Sequence, residues 1–152
     1  MNGDGKRIFF DTNILVFANA AEAPLHGVAL EAIETHYNAG TDLWISRQVL
    51  REYLATFSRP QRLFTPRPIS TVVERVRYFQ TRFRVAEDNP SVTERLLELM
   101  QQFSVGGKQV HDANIVATML TYRIPVLLTH NPDDFARFSP LITVLPLETK
   151  TP

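Results

Sequence analysis

The stretch Ile8-Phe9-Phe10-Asp11-Thr12-Asn13 decides how this chain folds. A short apolar run that ends in polar residues is typical of a buried strand in a parallel sheet. Asp11 then stands directly after that strand, where a parallel sheet presents its carboxyl edge. An Asp in this place is often a helix cap or a turn former, so both a functional role and a capping role are open for Asp11.

The rest of the chain alternates strands and helices in the same way. Further strands are predicted at residues 43–45, 83–85, 126–129 and near 141–145. Helices are predicted at 14–20, 26–40, 46–57, 71–80, 91–103 and 112–122. The helix at 91–103 begins with a capping-box pattern at Ser91, and residues 130–134 are predicted to form a loop. This alternation predicts an α/β fold in which a mainly parallel sheet carries helices on both faces.

Length and composition predict a single domain spanning residues 1–152. With 44% hydrophobic residues the chain can bury a substantial core, and with no cysteine it has no thiolate zinc site, thiol nucleophile or disulfide. The N-terminus lacks the apolar region of a signal peptide, and no apolar run approaches membrane-spanning length. We therefore expect a soluble, cytoplasmic protein that does not enter a membrane.

Positive charge is concentrated in the middle of the chain, although the net charge is zero. Nine arginines and only two acidic residues lie between Arg47 and Arg84. Clustered guanidinium groups suit phosphate and would favour binding to a polyanion. A solvated helical face and a surface for an acidic protein partner are equally open interpretations of this segment.

Two further carboxylates are predicted near the same sheet edge as Asp11. Asp112 begins a predicted helix, and the apolar residues at its i+3, i+4 and i+7 positions place it on the core-facing side of the first turn. A buried charge there has to be capped, paired or metal-bound, so an N-cap role is open as well. Glu52 flanks the apolar stripe of the helix at 46–57 and would by itself be an ordinary exposed residue.

The loop after the strand at 126–129 brings Asn131 and Asp134 to this edge too. Converging carboxylates repel one another, so such a site favours a hard cation with oxygen ligands, Mg²⁺ or Mn²⁺. In that scheme Asp11 and Asp112 are direct metal ligands, and Glu52 binds a second ion or holds the attacking water. Such ions orient a phosphodiester and activate water, so phosphodiester hydrolysis is the expected chemistry. We expect the polar side chains of Thr12, Asn13 and Thr129 to orient the ligands.

Four segments together resemble the PIN domain of VapC-type toxins. They are residues 10–15 (FDTNIL), 45–52 (ISRQVLRE), 111–115 (HDANI) and 128–135 (LTHNPDDF), which occur in the order of that family and span nearly the whole chain. The resemblance implies a PIN-like three-layer sandwich and a Mg²⁺- or Mn²⁺-dependent endoribonuclease. It also implies the toxin of a toxin–antitoxin pair, with an RNA substrate, a cognate antitoxin protein as partner, and frequent homodimers.

The resemblance carries over to individual positions. Asp11, Glu52 and Asp112 match the first three acids of the family. Asn131 falls where many members have Asp and toxin-like members also have Asn, and Asp134 matches the Asp before Phe135. The site prediction is therefore Asp11, Glu52, Asp112, Asn131 and Asp134, with the four acids as metal ligands and the number of ions open.

Two other functions compete with metal-dependent RNA cleavage. A degenerate PIN scaffold would bind RNA or a protein without cutting. A phosphatase would use Asp11 as its nucleophile, but the haloacid-dehalogenase pattern wants Asp where this chain has Asn13. If an antitoxin exists, we expect it to contact the segment from Arg47 to Arg84 or to insert a cation into the acidic pocket.

Overall fold

The computed structural model describes residues 6–59 and 65–148, so Arg62 and the termini of the chain lie outside the described residues. The strands are β1 (Arg7–Phe10), β2 (Asp42–Ser46), β3 (Arg84–Ala86), β4 (Val126–Thr129) and β5 (Thr143–Pro146). The helices are α1 (Thr12–Ala18), α2 (His26–Asn38), α3 (Arg47–Phe57), α4 (Ile69–Arg82), α5 (Pro90–Gln102), α6 (Gln109–Tyr122) and a 3₁₀ helix (Pro132–Phe138).

The five strands form one sheet in the order β3-β2-β1-β4-β5, and every neighbouring pair is parallel. The sequence predicted a mainly parallel sheet, and among the described strands it is entirely parallel. β1 and β4 lie in the middle, and their last three residues are buried. Burial on both faces explains why these two strands are continuous apolar runs without polar alternation.

The connections place helices on both faces of the sheet. The chain moves from β1 to β2 and β3 in one direction, then crosses back to β4 and β5 in the other. Because crossovers between parallel strands are right-handed, α1 to α4 cover one face, and α5, α6 and the 3₁₀ helix cover the other. The packing agrees, since α1 contacts α2 and α3 while α6 contacts α5 and the 3₁₀ helix. The predicted α/β sandwich is confirmed.

Several predicted boundaries were wrong in ways that matter for the site. α6 begins at Gln109, three residues before the predicted start, so Asp112 lies inside the first turn and is not its N-cap. The predicted loop at 130–134 becomes a 3₁₀ helix from Pro132 onward. α5 is capped by Asn89, whose side chain accepts a hydrogen bond from the backbone N–H of Val92, and not by a capping box at Ser91.

The core is continuous through both helical layers. Phe9 and Phe10 of β1, Ile45 of β2 and Leu127 of β4 are completely buried, as is Phe135 of the 3₁₀ helix. Phe135 anchors the segment that follows β4. None of the helices among the described residues is long and apolar enough to cross a membrane.

Candidate active site

The strand order creates a crevice at the carboxyl edge of the sheet. β1 and β4 are neighbours, yet the chain leaves β1 toward β2 and leaves β4 toward β5, in opposite directions. In open parallel sheets such a reversal opens a crevice outside the strand ends, where ligands bind. Asp11 follows β1, and Asn131 and Asp134 follow β4, so the fold delivers them to the two sides of this crevice.

Asp11 is both the N-cap of α1 and a member of the crevice, so its two sequence interpretations are compatible. Its Oδ1 accepts a hydrogen bond from the backbone N–H of Thr12 at 2.8 Å. Its Oδ2 accepts one from the Thr129 hydroxyl at 2.8 Å and one from the Asn13 amide at 3.3 Å. These contacts fix the carboxylate and meet the expectation that Thr129 and Asn13 orient it.

Burial sets the charge state of Asp11. The side chain is 9% exposed, and desolvation raises its pKa from 3.8 to about 6. Hydrogen bonds from Thr129 and Thr12 oppose this rise, whereas the negative charges of Glu52 and Asp134 add to it. The surroundings of Asp11 therefore disfavour its ionised form, and a bound cation would stabilise that form.

Glu52 reaches the crevice from α3, one turn beyond the helix start. Its Oε1 accepts a hydrogen bond from the Thr12 hydroxyl at 2.5 Å, and its Oε2 accepts one from the Gln48 amide at 3.1 Å. Both carboxylate oxygens are thus oriented by neighbouring side chains. Because Thr12 belongs to α1 and Gln48 to α3, the position of Glu52 depends on how these two helices pack.

Asp112 enters from the opposite helical layer, in the first turn of α6. Desolvation, followed by the negative charges of Asp11, Asp134 and Glu52, raises its pKa from 3.8 to about 6. His111 has the opposite, smaller effect. The raised pKa values of Asp11 and Asp112 indicate that keeping both carboxylates ionised in this crevice costs free energy.

Asn131 and Asp134 occupy the exposed side of the crevice. The backbone N–H of Asn131 donates to the Thr129 hydroxyl at 3.0 Å, and the backbone N–H of Asp134 donates to the Asn131 carbonyl at 3.1 Å. Both side chains are exposed. The adjacent Asp133 is also exposed but does not line the crevice.

All five residues of the site prediction line one open cleft of about 370 Å³, hereafter the acidic cleft. Its lining consists of Asp11, Thr12, Asn13, Val16, Phe17, Glu52, Thr56, Asp112, Asn131 and Asp134. No ion pair formed by the described lysines and arginines involves any of its four carboxylates. Within residues 6–59 and 65–148, the cleft therefore concentrates negative charge that no lysine or arginine neutralises.

A hard divalent cation fits this chemistry. Among the described residues, no group of three or more Asp, Glu or His side chains is arranged to hold an ion directly. Mg²⁺ does not require such a cage, because it keeps several waters and uses one or two carboxylates. The oriented Asp11 carboxylate, with Asp112 facing the same cleft, supplies ligands of the right kind.

Sequence reasoning missed two amides that support the site. Gln48 donates to the backbone carbonyl of His111 at 2.9 Å as well as to Glu52, and the Asn114 amide donates to Gln48 Oε1 at 2.9 Å. The sequence spacing could have indicated both residues, because Gln48 lies four residues before Glu52 on one helix face and Asn114 follows Asp112 by two.

Part of the arginine-rich segment is paired within the chain. Four of its nine arginines form ion pairs with acids outside the segment: Arg47 with Glu87, Arg51 with Asp88, Arg67 with Glu22 and Arg84 with Asp42. The lopsided charge along the sequence is thus partly balanced in space. This balance supports a structural contribution of the segment.

The PIN domain family model matches residues 8–139 of the chain. No match was found among curated proteins. Among solved structures, the chain resembles VapBC2 of Rickettsia felis, which was solved bound to a DNA fragment from its promoter. The two are 19% identical, with a TM-score of 0.67 over 92% of this chain and 98% of that one.

Two more structures share the fold. The Mycobacterium tuberculosis toxin VapC20, described as cleaving the sarcin-ricin loop, is 20% identical with a TM-score of 0.67, over 91% of this chain and 99% of that one. FitAcB of Neisseria gonorrhoeae is 14% identical with a TM-score of 0.70, over 92% and 97%.

Proposed function

The chain belongs to the PIN domain family, and we propose that it is a Mg²⁺- or Mn²⁺-dependent endoribonuclease that hydrolyses RNA at the acidic cleft. One observation carries the proposal: four carboxylates from both helical layers converge where the strand order reverses, and no lysine or arginine of the described residues pairs with them. A purely structural cluster of this kind would be costly, because like charges at a desolvated site raise the free energy of the folded chain.

The chemistry assigns each residue a task. A bound Mg²⁺ or Mn²⁺ would orient the phosphodiester, activate water and neutralise charge on the leaving oxygen. Asp11 and Asp112 would hold the ion, with Asp134 completing its surroundings from the exposed side. Glu52, oriented by Thr12 and Gln48, would contribute to holding the ion and would hold the attacking water. Hydrolysis adds that water across one P–O bond, with the hydroxyl going to phosphorus and a proton to the leaving oxygen.

RNA is the substrate favoured by the comparisons. A relative of similar fold is described as cleaving the sarcin-ricin loop, and several others are toxin–antitoxin complexes. On this ground we assign the chain as the toxin of such a pair, with a cognate antitoxin as its protein partner. The family resemblance also favours a homodimer, which light scattering of the purified protein tests directly.

The test is cleavage of a panel of structured and single-stranded RNAs with Mg²⁺, with Mn²⁺ and with a chelator. We expect the wild type to cleave at least one RNA only with a divalent ion, and Asp112→Asn to lose at least about 100-fold in rate. Asp133→Asn is the matched control, because Asp133 is an exposed neighbour outside the cleft. RNA binding without cleavage would instead support a non-catalytic scaffold, and equal cleavage by wild type and Asp112→Asn would overturn the assignment.

A further inference from the structure

Gln48 occupies an unusual place for an amide side chain. It is only 5% exposed, and it lies at the second position of α3, one turn before Glu52. It does not line the acidic cleft, so it is not placed to touch RNA. A buried amide costs free energy unless its polar atoms are paired, so the contacts of Gln48 indicate what it is for.

Those contacts join the two helical layers across the sheet edge. Its Nε2 donates to Glu52 Oε2 at 3.1 Å and to the backbone carbonyl of His111 at 2.9 Å. Its Oε1 accepts from the Asn114 amide at 2.9 Å. The carboxylate and the carbonyl are acceptors only, so the amide orientation is fixed by its partners.

The two ends of this bridge carry two of the acids. Glu52 is on α3, and His111 immediately precedes Asp112 in the first turn of α6. The weak contacts between these helices leave few other direct links, since α3 packs mainly on α1, α4 and β2. The Gln48 side chain therefore links Glu52 directly to the turn that carries Asp112.

The side-chain type is matched to this task. A carboxylate at position 48 would repel Glu52 and could not donate to the His111 carbonyl. An aliphatic side chain of the same size would fill the space and leave Glu52 Oε2, the carbonyl and the Asn114 amide without this partner. Only a neutral group with both donors and an acceptor satisfies all three neighbours at once.

We propose that Gln48 is a positioning residue that sets the spacing of the Glu52 and Asp112 carboxylates and thereby the affinity of the acidic cleft for its metal ion. The inference rests on the proposed metal-dependent function. Outer groups that orient ligands are typically worth about 10- to 100-fold in metal affinity. Gln48 acts through Glu52 and α6, so its loss should affect ion binding more than RNA binding.

The experiment compares wild type, Gln48→Met and the matched control Gln101→Met, which makes the same change on the exposed face of α5. Mn²⁺ binding to metal-free protein is measured by calorimetry, and kcat and KM for RNA are measured across a Mn²⁺ titration. We expect Gln48→Met to weaken Mn²⁺ binding at least about tenfold. Its kcat should recover to within about threefold of wild type at saturating Mn²⁺, with KM for RNA unchanged.

The outcomes separate the two proposals. If wild type shows no metal-dependent cleavage, the proposed function fails whatever Gln48 does. If wild type cleaves and Gln48→Met keeps the Mn²⁺ affinity of Gln101→Met, the role of Gln48 is refuted alone. Should Gln48→Met fail to fold, Asn114→Ala decides, because it removes only the group that orients Gln48 Oε1. An unchanged Mn²⁺ affinity in folded Asn114→Ala would also refute the role.

Discussion

The acidic cleft and the arginine-rich segment between Arg47 and Arg84 differ in whether their charged side chains form ion pairs. In the cleft, four carboxylates from α1, α3, α6 and the 3₁₀ helix region converge without a lysine or arginine partner among the described residues. In the segment, the ion-paired arginines find acids from distant parts of the chain. The described part of the cleft therefore leaves its negative charge without ion pairs, which the proposed divalent ion would neutralise, whereas the segment pairs part of its positive charge within the chain.

The largest expected effect separates the two regions by activity. We expect Asp11→Asn to lower kcat by at least about 100-fold, because the charge that would hold the ion is lost while the side-chain shape remains. Arg84→Gln should leave kcat within about twofold, since Arg84 is exposed and its nearest acid, Asp42, lies outside the cleft. Steady-state RNA cleavage at saturating Mn²⁺ measures kcat of both variants. A comparable loss of kcat in the two would contradict the functional difference between the cleft and the segment.

The second effect concerns stability and pH in metal-free protein. Because the folded-state pKa of Asp11 is raised from 3.8 to about 6, the folded chain binds more protons than the unfolded chain between these values. The contribution of Asp11 to stability therefore falls as pH rises from about 4 to about 6. Asp11→Asn should be more stable than wild type by on the order of 2 kcal/mol at pH 7, and nearly equal near pH 4.

Urea denaturation of both proteins across this range checks the prediction. The pKa of His36 is lowered from 6.5 by burial and then by Lys6, so its contribution to stability rises with pH just below 6.5, opposite in sign to that of Asp11. His36 is present in both proteins, so its effect cancels in the difference. A stability difference that does not grow between pH 4 and pH 7 would contradict the assigned electrostatic cost of Asp11.

Arg67 should show the third effect, this time on the scaffold. Its guanidinium donates to the Asn19 carbonyl at 3.1 Å, to Glu22 at 2.9 Å and to the Thr65 carbonyl at 3.0 Å, and it lies 4.6 Å from the centre of the Phe57 ring. We expect Arg67→Met to lower the free energy of unfolding by about 1 to 2 kcal/mol. Thermal denaturation tests this, and unchanged stability would remove Arg67 from the scaffold.

Arg84 should give the smallest effect. Its side chain is 63% exposed and lies 3.6 Å from Asp42, which is typical of a surface pair. Arg84→Gln should change the unfolding free energy by less than about 0.5 kcal/mol, and 0.5 M salt should reduce that further. A loss as large as that of Arg67→Met would mean that the pairs of this segment cannot be ranked by exposure.

Much of the fold could be predicted because its signals are local. The apolar runs at Ile8 to Phe10 and Val126 to Leu128 are typical of buried strands in a parallel sheet, and the family match confirms the resemblance carried by the four motifs. The start of α6 was missed because Lys108 at its N-cap makes no side-chain capping bond. At α5, Pro90 favours the first helical position, which moves the cap to Asn89.

The candidate site was predictable only in part, for a related reason. Asp11 and Asp112 could be placed at one sheet edge because Asp11 follows a strand and Asp112 was predicted to begin a helix, and Glu52 because it lies within the first two turns of the helix after β2. The link from Gln48 to Asn114 joins residues 66 positions apart, and the pair of Arg67 with Glu22 joins residues 45 apart. Such pairings depend on how helices pack across the sheet, which local patterns do not encode.

The most direct test of the central claim is calorimetric titration of metal-free protein with Mn²⁺. Wild type should bind Mn²⁺, and Asp11→Asn and Asp112→Asn should each weaken that binding at least about tenfold. Glu87→Gln is the charge-matched control, because Glu87 is paired with Arg47 at 2.9 Å outside the cleft. Its affinity should equal that of wild type. Equal Mn²⁺ affinity in all four proteins, or no binding by wild type, would contradict the claim that the acidic cleft is built for a divalent ion.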